Sequence, residues 1–434
     1  MHTLHKTLAR AAGVSEVEVG DIIEVTPDFV YFHDTGGPKV MQKFKEMGFD
    51  RIVYPDRVAC VFDHEVPPNK VSAANQHKEL QAFCIDQGVR YYYAKGICHQ
   101  LIPELGLAGP GMLVMANDSH TTMLGAVGAF ATGIGYTEAA ATLGTGKNWC
   151  KVPPIVRLEI RGRLTDGVMA KDVMLHILQE KGMRWGLYKA LEFAGPTVRD
   201  LDMDGRMALT NMSIEIAGKA GFIEPDAKTE DFFGSEVYER FASTGAGEPV
   251  YDEVAEFNVE GLAPQVACPH TVDNVRPASE LEDVPIHQAF IGSCTGGRFE
   301  DLEIAARIFK NNRAHPRVKT IVIPNSLNQY RMMVDSGLLD VFLDAGCTVT
   351  HSTCGPCTHH HLGLLAGGET CIASSPRNHK GRMGDKDSLV YISSAATVAA
   401  SAVTGHITDP RPYLKDAVRV PRPAKRAMVS MESA

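Results

Sequence analysis

The sequence predicts an α/β fold in which parallel sheets are covered by helices. Short apolar runs, typical of buried strands, recur along the chain, and a polar or glycine-rich loop and then a helical pattern follow them. With 434 residues, 44% hydrophobic and 22% charged, the chain can bury a large core divided among several domains. Clusters of His, Asp, Cys and Arg come directly after the predicted strands, where open α/β sheets bind ligands.

Six apolar runs predict strands, and three stretches between them predict helices. The helical stretches are residues 73–86, a segment with Leu302, Ala305, Ala306 and Phe309 on one face, and residues 329–343. The predicted strands are residues 58–62, 112–116, 285–291, 320–323, 347–349 and 371–373. The two patterns alternate, which favours a parallel sheet with helical crossovers.

We predict three domains. Residues 1–155 form an α/β domain that carries an Asp-His and an Asp-Ser-His motif, and residues 156–275 form a second α/β domain with an acidic patch over 224–239. Prolines then mark an extended crossing segment, at Pro264, Pro269, Pro277 and Pro285. Residues 276–434 form a third α/β domain with the cysteine motifs.

Composition excludes several function classes. A formal net charge of -9 argues against non-specific nucleic-acid binding, which requires a basic surface. No window approaches 18 uninterrupted apolar residues, so we expect no transmembrane helix. Residues 1–6 lack the apolar core of a signal peptide. Ten cysteines at irregular spacing indicate reduced thiols, and we therefore expect a cytoplasmic protein.

Three cysteines in two loops are the strongest candidates for a metal centre. Cys354 and Cys357 form a C-x-x-C, and Cys294 lies 60 residues earlier in a Gly-Ser-Cys-Thr-Gly-Gly loop. This spacing suits an iron–sulfur cluster, and three ligands would leave one iron open as a Lewis acid. It suits zinc equally well, because residues 359–361 are a His-His-His run that could complete a zinc site.

Two glycine-rich stretches do not match phosphate-binding motifs. Residues 133–135 read Gly-Ile-Gly without the third glycine of a dinucleotide-binding loop. Residues 144–147 read Gly-Thr-Gly-Lys without the upstream glycine of a P-loop, and Asn148 follows instead of Ser or Thr. We interpret both as turn or helix-packing glycines.

The order of the motifs resembles the aconitase superfamily of iron–sulfur hydro-lyases, and more narrowly the large subunits of 3-isopropylmalate dehydratase and homoaconitase. The resemblance covers nearly the whole chain. The segments that carry it are residues 7–10, 19–23, 62–64, 96–100, 111–120, 211–215, the Cys294 loop, the C-x-x-C, and the loop of Arg377 and Arg382.

The resemblance implies α/β/α three-layer domains packed around a [4Fe–4S] cluster on Cys294, Cys354 and Cys357, with Asn211 beside it. The expected activity is the dehydration and rehydration of a 2-hydroxy di- or tricarboxylic acid. It also implies a mobile fourth domain that carries the catalytic serine. No sequence for that domain follows the third one here, so we expect a separate small subunit as partner, without which the chain is inactive. A cluster-sensing RNA-binding protein is the alternative of another class, and the net negative charge speaks against it.

The resemblance also assigns an acid and two His–carboxylate pairs. His64, held by Asp63, is the candidate general acid, although an Asp-His pair at a strand end can also cap the following helix. We expect two further pairs, Asp118 with His99 and Glu215 with His120, because a carboxylate orients an imidazole and raises its basicity. The alternative for these pairs is a buried polar network that supports the fold.

Arginine, serine and lysine are the candidate substrate ligands. Arg377 and Arg382 suit a substrate carboxylate because guanidinium binds it bidentately. Ser119 would bond a carboxylate or cap a helix. Two positions depart from the usual family pattern, Lys39 where a glutamine ordinarily contacts substrate and Pro376 where an Asn usually precedes the first arginine. Both departures suggest a substrate other than plain isopropylmalate. The resemblance still makes a substrate of the 3-isopropylmalate type the first candidate, with homocitrate or homoaconitate and methyl-substituted malates or maleates as alternatives.

Overall fold

A computed structural model of the chain describes residues 1–239, 249–359 and 361–423. Its strands fall into three larger sheets and one two-stranded sheet, and helices cover them. The α/β class predicted from the sequence is therefore confirmed. Within these residues no helix has the length and apolar character needed to cross a membrane.

The first region contains a five-stranded parallel sheet in the order β4-β3-β2-β5-β6. Strands β1 and β7 form a separate antiparallel pair. The strands are β1 Ile22–Val25, β2 Phe29–His33, β3 Val58–Phe62, β4 Arg90–Tyr93, β5 Leu113–Ala116, β6 Phe130–Gly133 and β7 Asn148–Lys151. The helices are α1 Thr3–Ala12, α2 Gly37–Glu46, α3 Val71–Gln87, α4 Cys98–Glu104 and α5 Tyr136–Thr145, with a 3₁₀ helix over Ser119–Val127.

The second region contains a four-stranded parallel sheet in the order β10-β9-β8-β11. Its strands are β8 Ile155–Arg161, β9 Ala190–Ala194, β10 Ala220–Phe222 and β11 Glu253–Asn258. Its helices are α6 Ala170–Lys181, α7 Pro196–Asp200, α8 Met203–Asn211, α9 Ala227–Phe233 and α10 Ser235–Glu239, with a 3₁₀ helix over Met212–Ile216.

The third region contains a seven-stranded mixed sheet in the order β13-β12-β18-β17-β14-β15-β16. Its strands are β12 Gln265–Ala267, β13 Val275–Pro277, β14 Gln288–Ile291, β15 Lys319–Val322, β16 Thr348–Val349, β17 Thr370–Ala373 and β18 Leu389–Ser393. Its helices are α11 Phe299–Phe309, α12 Leu327–Asp335, α13 Leu338–Asp344 and α14 Ala395–Thr404, with a 3₁₀ helix over Gly355–Thr358. Strand β12 belongs to this third sheet, although it begins ten residues before the predicted domain boundary at 275. The division into three domains stays a prediction.

The single helix predicted over 329–343 is wrong. Two helices occupy this stretch, and they are separated at Ser336 and Gly337. Gly337 has a φ of 73°, in the left-handed region, where a glycine avoids the steric cost of a side chain. Its backbone ends α12 and starts α13 in a new direction, although the apolar pattern continues through the break.

Two reversals of strand order position the site. In the first sheet, the chain winds outward from β2 in one direction and from β5 in the other. In the parallel part of the third sheet, it does the same from β14 and β17. Loops diverge at such points and leave a crevice at the carboxyl ends of the strands. The polar motifs follow β2, β3, β5, β14 and β17, so they lie at these crevices.

Candidate active site

One cavity of about 390 Å³ gathers most of the predicted site residues. It lies between loops that follow the strands of the first sheet and loops that follow the strands of the third sheet. The predicted residues that line it are His64, His99, Asp118, Ser119, His120, Cys294, Cys354, Cys357, Arg377 and Arg382. Three others, Asp63, Asn211 and Glu215, are buried. Asp63 and Glu215 contact lining residues from behind.

Asp63 and His64 follow the end of β3. Asp63 Oδ1 lies 2.7 Å from His64 Nδ1, and Asp63 Oδ2 accepts a hydrogen bond of 2.6 Å from the backbone N–H of Cys98. Neither side chain caps α3, whose N-cap residue is Lys70, so the capping alternative for this pair is wrong. Burial opposes a charged His64 ring, but the neighbouring Cys354 and Asp63 raise its pKa well above the ordinary value.

His33 is a cavity residue that the sequence analysis did not select. It ends β2, and its ring stacks on that of His64 with centroids 4.2 Å apart and an interplanar angle of 22°. The next residue, Asp34, is buried and accepts hydrogen bonds from the backbone N–H groups of His64 and Glu65, at 3.0 and 2.8 Å. The signal was present, because an Asp and a His at a strand end also mark β3, but β2 itself was not predicted.

Asp118 is the centre of a four-imidazole cluster. Its carboxylate oxygens lie 3.1 Å from His99 Nε2 and 3.5 Å from His120 Nδ1, and 3.7 and 3.8 Å from the Nε2 atoms of His33 and His64. Burial alone would raise the pKa of Asp118, but His99 and a hydrogen bond from His120 hold it well below the ordinary value. We call His33, His64, His99 and His120 the imidazole wall.

Glu215 joins the imidazole wall to an arginine. Its Oε1 lies 3.0 Å from His120 Nε2 and accepts a hydrogen bond of 2.7 Å from Arg377 Nε. Burial opposes ionisation of Glu215, yet His120 and Arg377 lower its pKa. The contacts predicted between His99 and Asp118 and between His120 and Glu215 are therefore both present.

The three cysteines face the cavity from the other side, and we call them the thiol wall. Cys294 follows β14, and Cys354 and Cys357 lie at the 3₁₀ turn after β16. Ser293 Oγ lies 3.8 Å from both Cys294 Sγ and Cys357 Sγ, so these two sulfurs share one hydroxyl group. All three are free thiols and buried.

The surroundings of the thiol wall disfavour ionised thiols at Cys294 and Cys354. Burial raises the pKa of Cys294 to about 11, with a further contribution from Cys357, and it also raises the pKa of Cys354. Arg382 donates a hydrogen bond to Cys357 Sγ at 3.8 Å. Asn211 is fully buried and lowers the pKa of Cys294, while its amide has no other hydrogen-bond partner among the described residues.

The two walls are connected through Asp63. Its backbone carbonyl accepts hydrogen bonds from the Cys354 N–H at 3.1 Å and from Thr353 Oγ1 at 2.8 Å. Its side chain holds His64 at the same time. The position of the Cys354 loop relative to the His64 ring is therefore fixed by one residue.

Two buried cations behind the Cys294 loop were also missed from the sequence. Lys171 Nζ donates to Thr295 Oγ1 at 3.0 Å and to the carbonyl of Ser374, and burial lowers its pKa to about 8. Arg298 NH2 donates to the Cys294 carbonyl at 2.5 Å, and its Nε donates to Gln100 Oε1 at 2.8 Å. In the sequence both resemble helix-surface residues, since nothing local marks a cation as buried.

Lys39 does not line the cavity. It lies on α2 with its side chain exposed, and its Nζ is 5.1 Å from the ring centroid of Tyr136, which does line the cavity. Ile134 and Gly135 also line the cavity, although the sequence analysis treated the stretch 133–135 only as a turn. A side chain at Gly133 would meet the backbone of Asp118 and Ser119, at 2.6 and 2.9 Å, and Gly135 is the N-cap residue of α5.

Ser119 and Pro376 both line the cavity. Ser119 begins its 3₁₀ helix, whose N-cap residue is Asp118, so its hydroxyl is available to a ligand. Of the three histidines that would complete a zinc site, His361 Nε2 lies 2.8 Å from the Pro67 carbonyl and His359 lines the cavity. His360 lies outside the described residues.

Known proteins are similar to this chain along nearly its whole length. The model of the aconitase family (aconitate hydratase) matches residues 6–285 and 273–405. A probable 3-isopropylmalate dehydratase large subunit from Methanothermobacter thermautotrophicus is 44% identical over 94% of this chain and 99% of its own length. The 3-isopropylmalate dehydratase large subunit 1 of Methanopyrus kandleri is 44% identical over 94% and 98%. A probable methanogen homoaconitase large subunit from M. thermautotrophicus is 42% identical over 95% and 98%.

Proposed function

This chain belongs to the aconitase family, and we propose that it is the large, cluster-bearing subunit of a hydro-lyase acting on a 2-hydroxy di- or tricarboxylic acid. A substrate of the 3-isopropylmalate type is the first candidate, because relatives with that name are 44% identical over nearly their whole length. The observation that carries the proposal is the convergence of three thiols, four imidazoles and two guanidiniums on one cavity.

The donor set at the thiol wall fits a [4Fe–4S] cluster. Three thiols lie on one cavity, and burial raises the pKa of Cys294 and Cys354, so neither thiol ionises readily without a cationic partner. The buried amide of Asn211 has no other partner in the described chain and suits a cluster sulfur or ligand. We propose Cys294, Cys354 and Cys357 as the ligands. A cluster with three thiolates supplies an iron with one open position, which is a Lewis acid for the leaving hydroxyl.

The imidazole wall would handle the protons. His64, which the Asp63 carboxylate orients at 2.7 Å, is proposed to hold a proton and give it to the departing hydroxyl. Asp118 and Glu215 stay ionised, since their pKa values are lowered, and they keep His99 and His120 oriented toward the cavity. The base that removes the C–H proton is proposed to be the catalytic serine of the small subunit.

Two guanidiniums would bind the substrate carboxylates. Arg377 is half-buried and is held by Glu215, which leaves its other nitrogens available, and Arg382 contacts Cys357. A carboxylate bound between them would place the adjacent carbon next to both walls. Ser119 is positioned to add a hydroxyl donor. Lys39, exposed beside Tyr136, is proposed to act at the rim on a longer or additionally charged substrate.

The relatives are named as large subunits, and a small subunit is proposed as the partner here too. We propose that it carries the catalytic serine on a swivelling domain and that the complex works in the cytoplasm. Homoaconitase chemistry is a second candidate, since a relative of that name is 42% identical over 95% of the chain.

The test is anaerobic purification of the chain with and without a small subunit encoded beside it. We expect iron and sulfide in the ratio of a [4Fe–4S] cluster in the chain alone, and turnover only with the partner. Hydration of isopropylmaleate, homoaconitate and dimethylmaleate should be compared in the same preparation. Zinc in place of iron, or full turnover by the chain alone, would contradict the proposal.

A further inference from the structure

Tyr31 lies behind His99, away from the cavity, and we infer that it is a positioning residue that keeps the His99 ring satisfied in either protonation state. The inference deepens the proposed function, because it depends on His99 acting at the cavity. Tyr31 is on β2 and is completely buried. Its hydroxyl oxygen lies 2.9 Å from His99 Nδ1 and 3.3 Å from Thr121 Oγ1.

The Tyr31 hydroxyl belongs to a row of hydrogen-bonding groups that runs from Thr121 through Tyr31 and His99 to Asp118. Thr121 Oγ1 donates to the backbone carbonyl of Asp118 at 2.6 Å, so its single hydrogen is committed and its lone pairs can accept. On the other side of the ring, His99 Nε2 lies 3.1 Å from Asp118 Oδ1. A carboxylate only accepts hydrogen bonds, and hence Nε2 carries a hydrogen whenever this contact is a hydrogen bond.

Two arrangements of the same atoms satisfy every buried group. When His99 is neutral, Nδ1 is bare and the Tyr31 hydroxyl donates to it. When His99 is protonated, Nδ1–H donates to the Tyr31 oxygen, and the hydroxyl hydrogen turns toward Thr121 Oγ1. The change requires only rotation about the C–O bond of Tyr31, and no proton leaves the tyrosine. Burial raises the pKa of Tyr31 well above its ordinary value, in keeping with a hydroxyl that stays protonated throughout.

The hydrogen bonds through Tyr31 and Thr121 stabilise the protonated His99 ring more than the neutral one. A buried N–H of an imidazolium without an acceptor costs more than a bare neutral nitrogen without a donor. The groups that face His99 are Asp118, the His120 ring with its centroid at 6.1 Å, Tyr31, and the neighbouring Cys98, whose pKa burial raises so that it stays a neutral thiol. Asp118 is shared with His33 and His64, so Tyr31 and Thr121 provide the contacts that belong to His99 alone.

Two variants separate the effect of the Tyr31 hydroxyl on His99 from the effect of the Thr121 acceptor. Tyr31→Phe removes the partner of Nδ1 in both states. Thr121→Val leaves the Tyr31 donor for the neutral ring and removes the acceptor that the protonated state needs, together with the hydrogen bond from Thr121 Oγ1 to the Asp118 carbonyl. Tyr92→Phe, which alters a buried tyrosine of the same apolar cluster, is the matched control. Thermal unfolding of all three, followed by circular dichroism, shows that the fold is retained.

Histidine labelled with ¹⁵N provides a readout that does not depend on turnover. In the cluster-loaded protein the His99 signals are assigned by their absence from His99→Gln. We expect both Tyr31→Phe and Thr121→Val to lower the protonated fraction of His99 at a given pH. At high pH only Tyr31→Phe should change the Nδ1 shift to that of a nitrogen without a hydrogen bond, and Tyr92→Phe should match the parent.

The rate profile of the complex with its small subunit completes the test. Any limb of the pH–rate profile that follows the protonation of His99 should move to lower pH by about one pH unit in both variants, as expected for a lost hydrogen bond to a charged group. Unchanged His99 signals in Tyr31→Phe would overturn the inference. Altered signals with an unmoved rate profile would instead overturn the role of His99 in turnover, while iron content and binding of the partner would remain intact.

Discussion

On the wall of the cavity that the first sheet supplies, each of the four imidazoles has a carboxylate oxygen within 3.8 Å, and the carboxylates are in turn held by backbone N–H groups, histidines or Arg377. On the wall that the third sheet supplies, the Ser293 hydroxyl lies 3.8 Å from the Cys294 and Cys357 sulfurs, and the Arg382 guanidinium lies 3.8 Å from that of Cys357. The first wall is complete within the chain. The second presents three neutral thiols, with only weak sulfur contacts at Cys294 and Cys357, as expected of the proposed ligands of a metal cofactor.

The sharpest test of this contrast is to remove a thiol. Cys354→Ser should abolish the bound iron and the visible absorption, because two thiolates do not hold a four-iron cluster. Turnover should disappear with it. Cys347→Ser is the control, since this buried thiol does not line the cavity and should leave iron content unchanged. Absorption that survives in Cys354→Ser would contradict the ligand assignment.

Removing an imidazole should affect the rate and spare the cofactor. His64→Gln should lower kcat by about 10²–10⁴-fold, the usual contribution of a general acid. Iron content should equal that of the parent, because His64 belongs to the wall that is complete without a cofactor. His176→Gln, a change at a helix position that pairs with Glu180, is the control for a histidine outside the cavity. Loss of iron in His64→Gln would mean that the walls are not independent.

Arginine replacement should have a smaller effect and act mainly on substrate binding. Arg382→Lys keeps the charge and loses the bidentate geometry, so kcat/KM should fall by about 10–150-fold, from 1.5–3 kcal/mol for a hydrogen bond to a charged group. Steady-state kinetics of the complex with the small subunit measure this fall in kcat/KM. Lys380→Met, at an exposed position on the same loop, should leave kcat/KM unchanged. An equal loss in both variants would contradict a specific role for the Arg382 guanidinium in substrate binding.

The smallest expected effect is on acid stability. Asp118 and Glu215 have lowered pKa values in the folded protein, so they contribute stability that is fully present above their unfolded values of about 4 and is lost as the pH falls below them. Urea unfolding of the cofactor-free chain between pH 6 and pH 3 should show this loss. Glu215→Gln should flatten the decline, and an equally steep decline in that variant would contradict the contribution of Glu215.

The sequence predicted the residues whose position along the chain already carries spatial information. Cys294, Asp63, Asp118 and Arg377 each follow a strand, and parallel strands bring their carboxyl ends to one edge. The pairing of Asp118 with His99 came from a family resemblance and not from the residues themselves. Residues that matter through contacts distant in sequence were missed, and Tyr31 is one, since its partner His99 lies 68 positions away.

Burial explains the other errors. Lys171 and Arg298 are almost wholly buried, although Lys and Arg are ordinarily exposed, and only tertiary contacts show it. Lys39 is exposed on α2 and does not line the cavity, and its contact with substrate stays a prediction. The helix break at Gly337 was missed because the apolar periodicity on both sides of it fits one continuous helix.

The two contacts of Asp63 restrict which changes of sequence this protein can tolerate during evolution. One residue anchors the His64 ring with its side chain and the Cys354 loop with its carbonyl, so an insertion or deletion near it would displace both parts of the chemistry together. Thr35, which is hydrogen-bonded to His33, and Pro376 line the cavity, and in the described chain neither joins the two walls. Gene duplicates that acquire new substrates should therefore differ at the latter positions and keep the stretch around residue 63 at constant length.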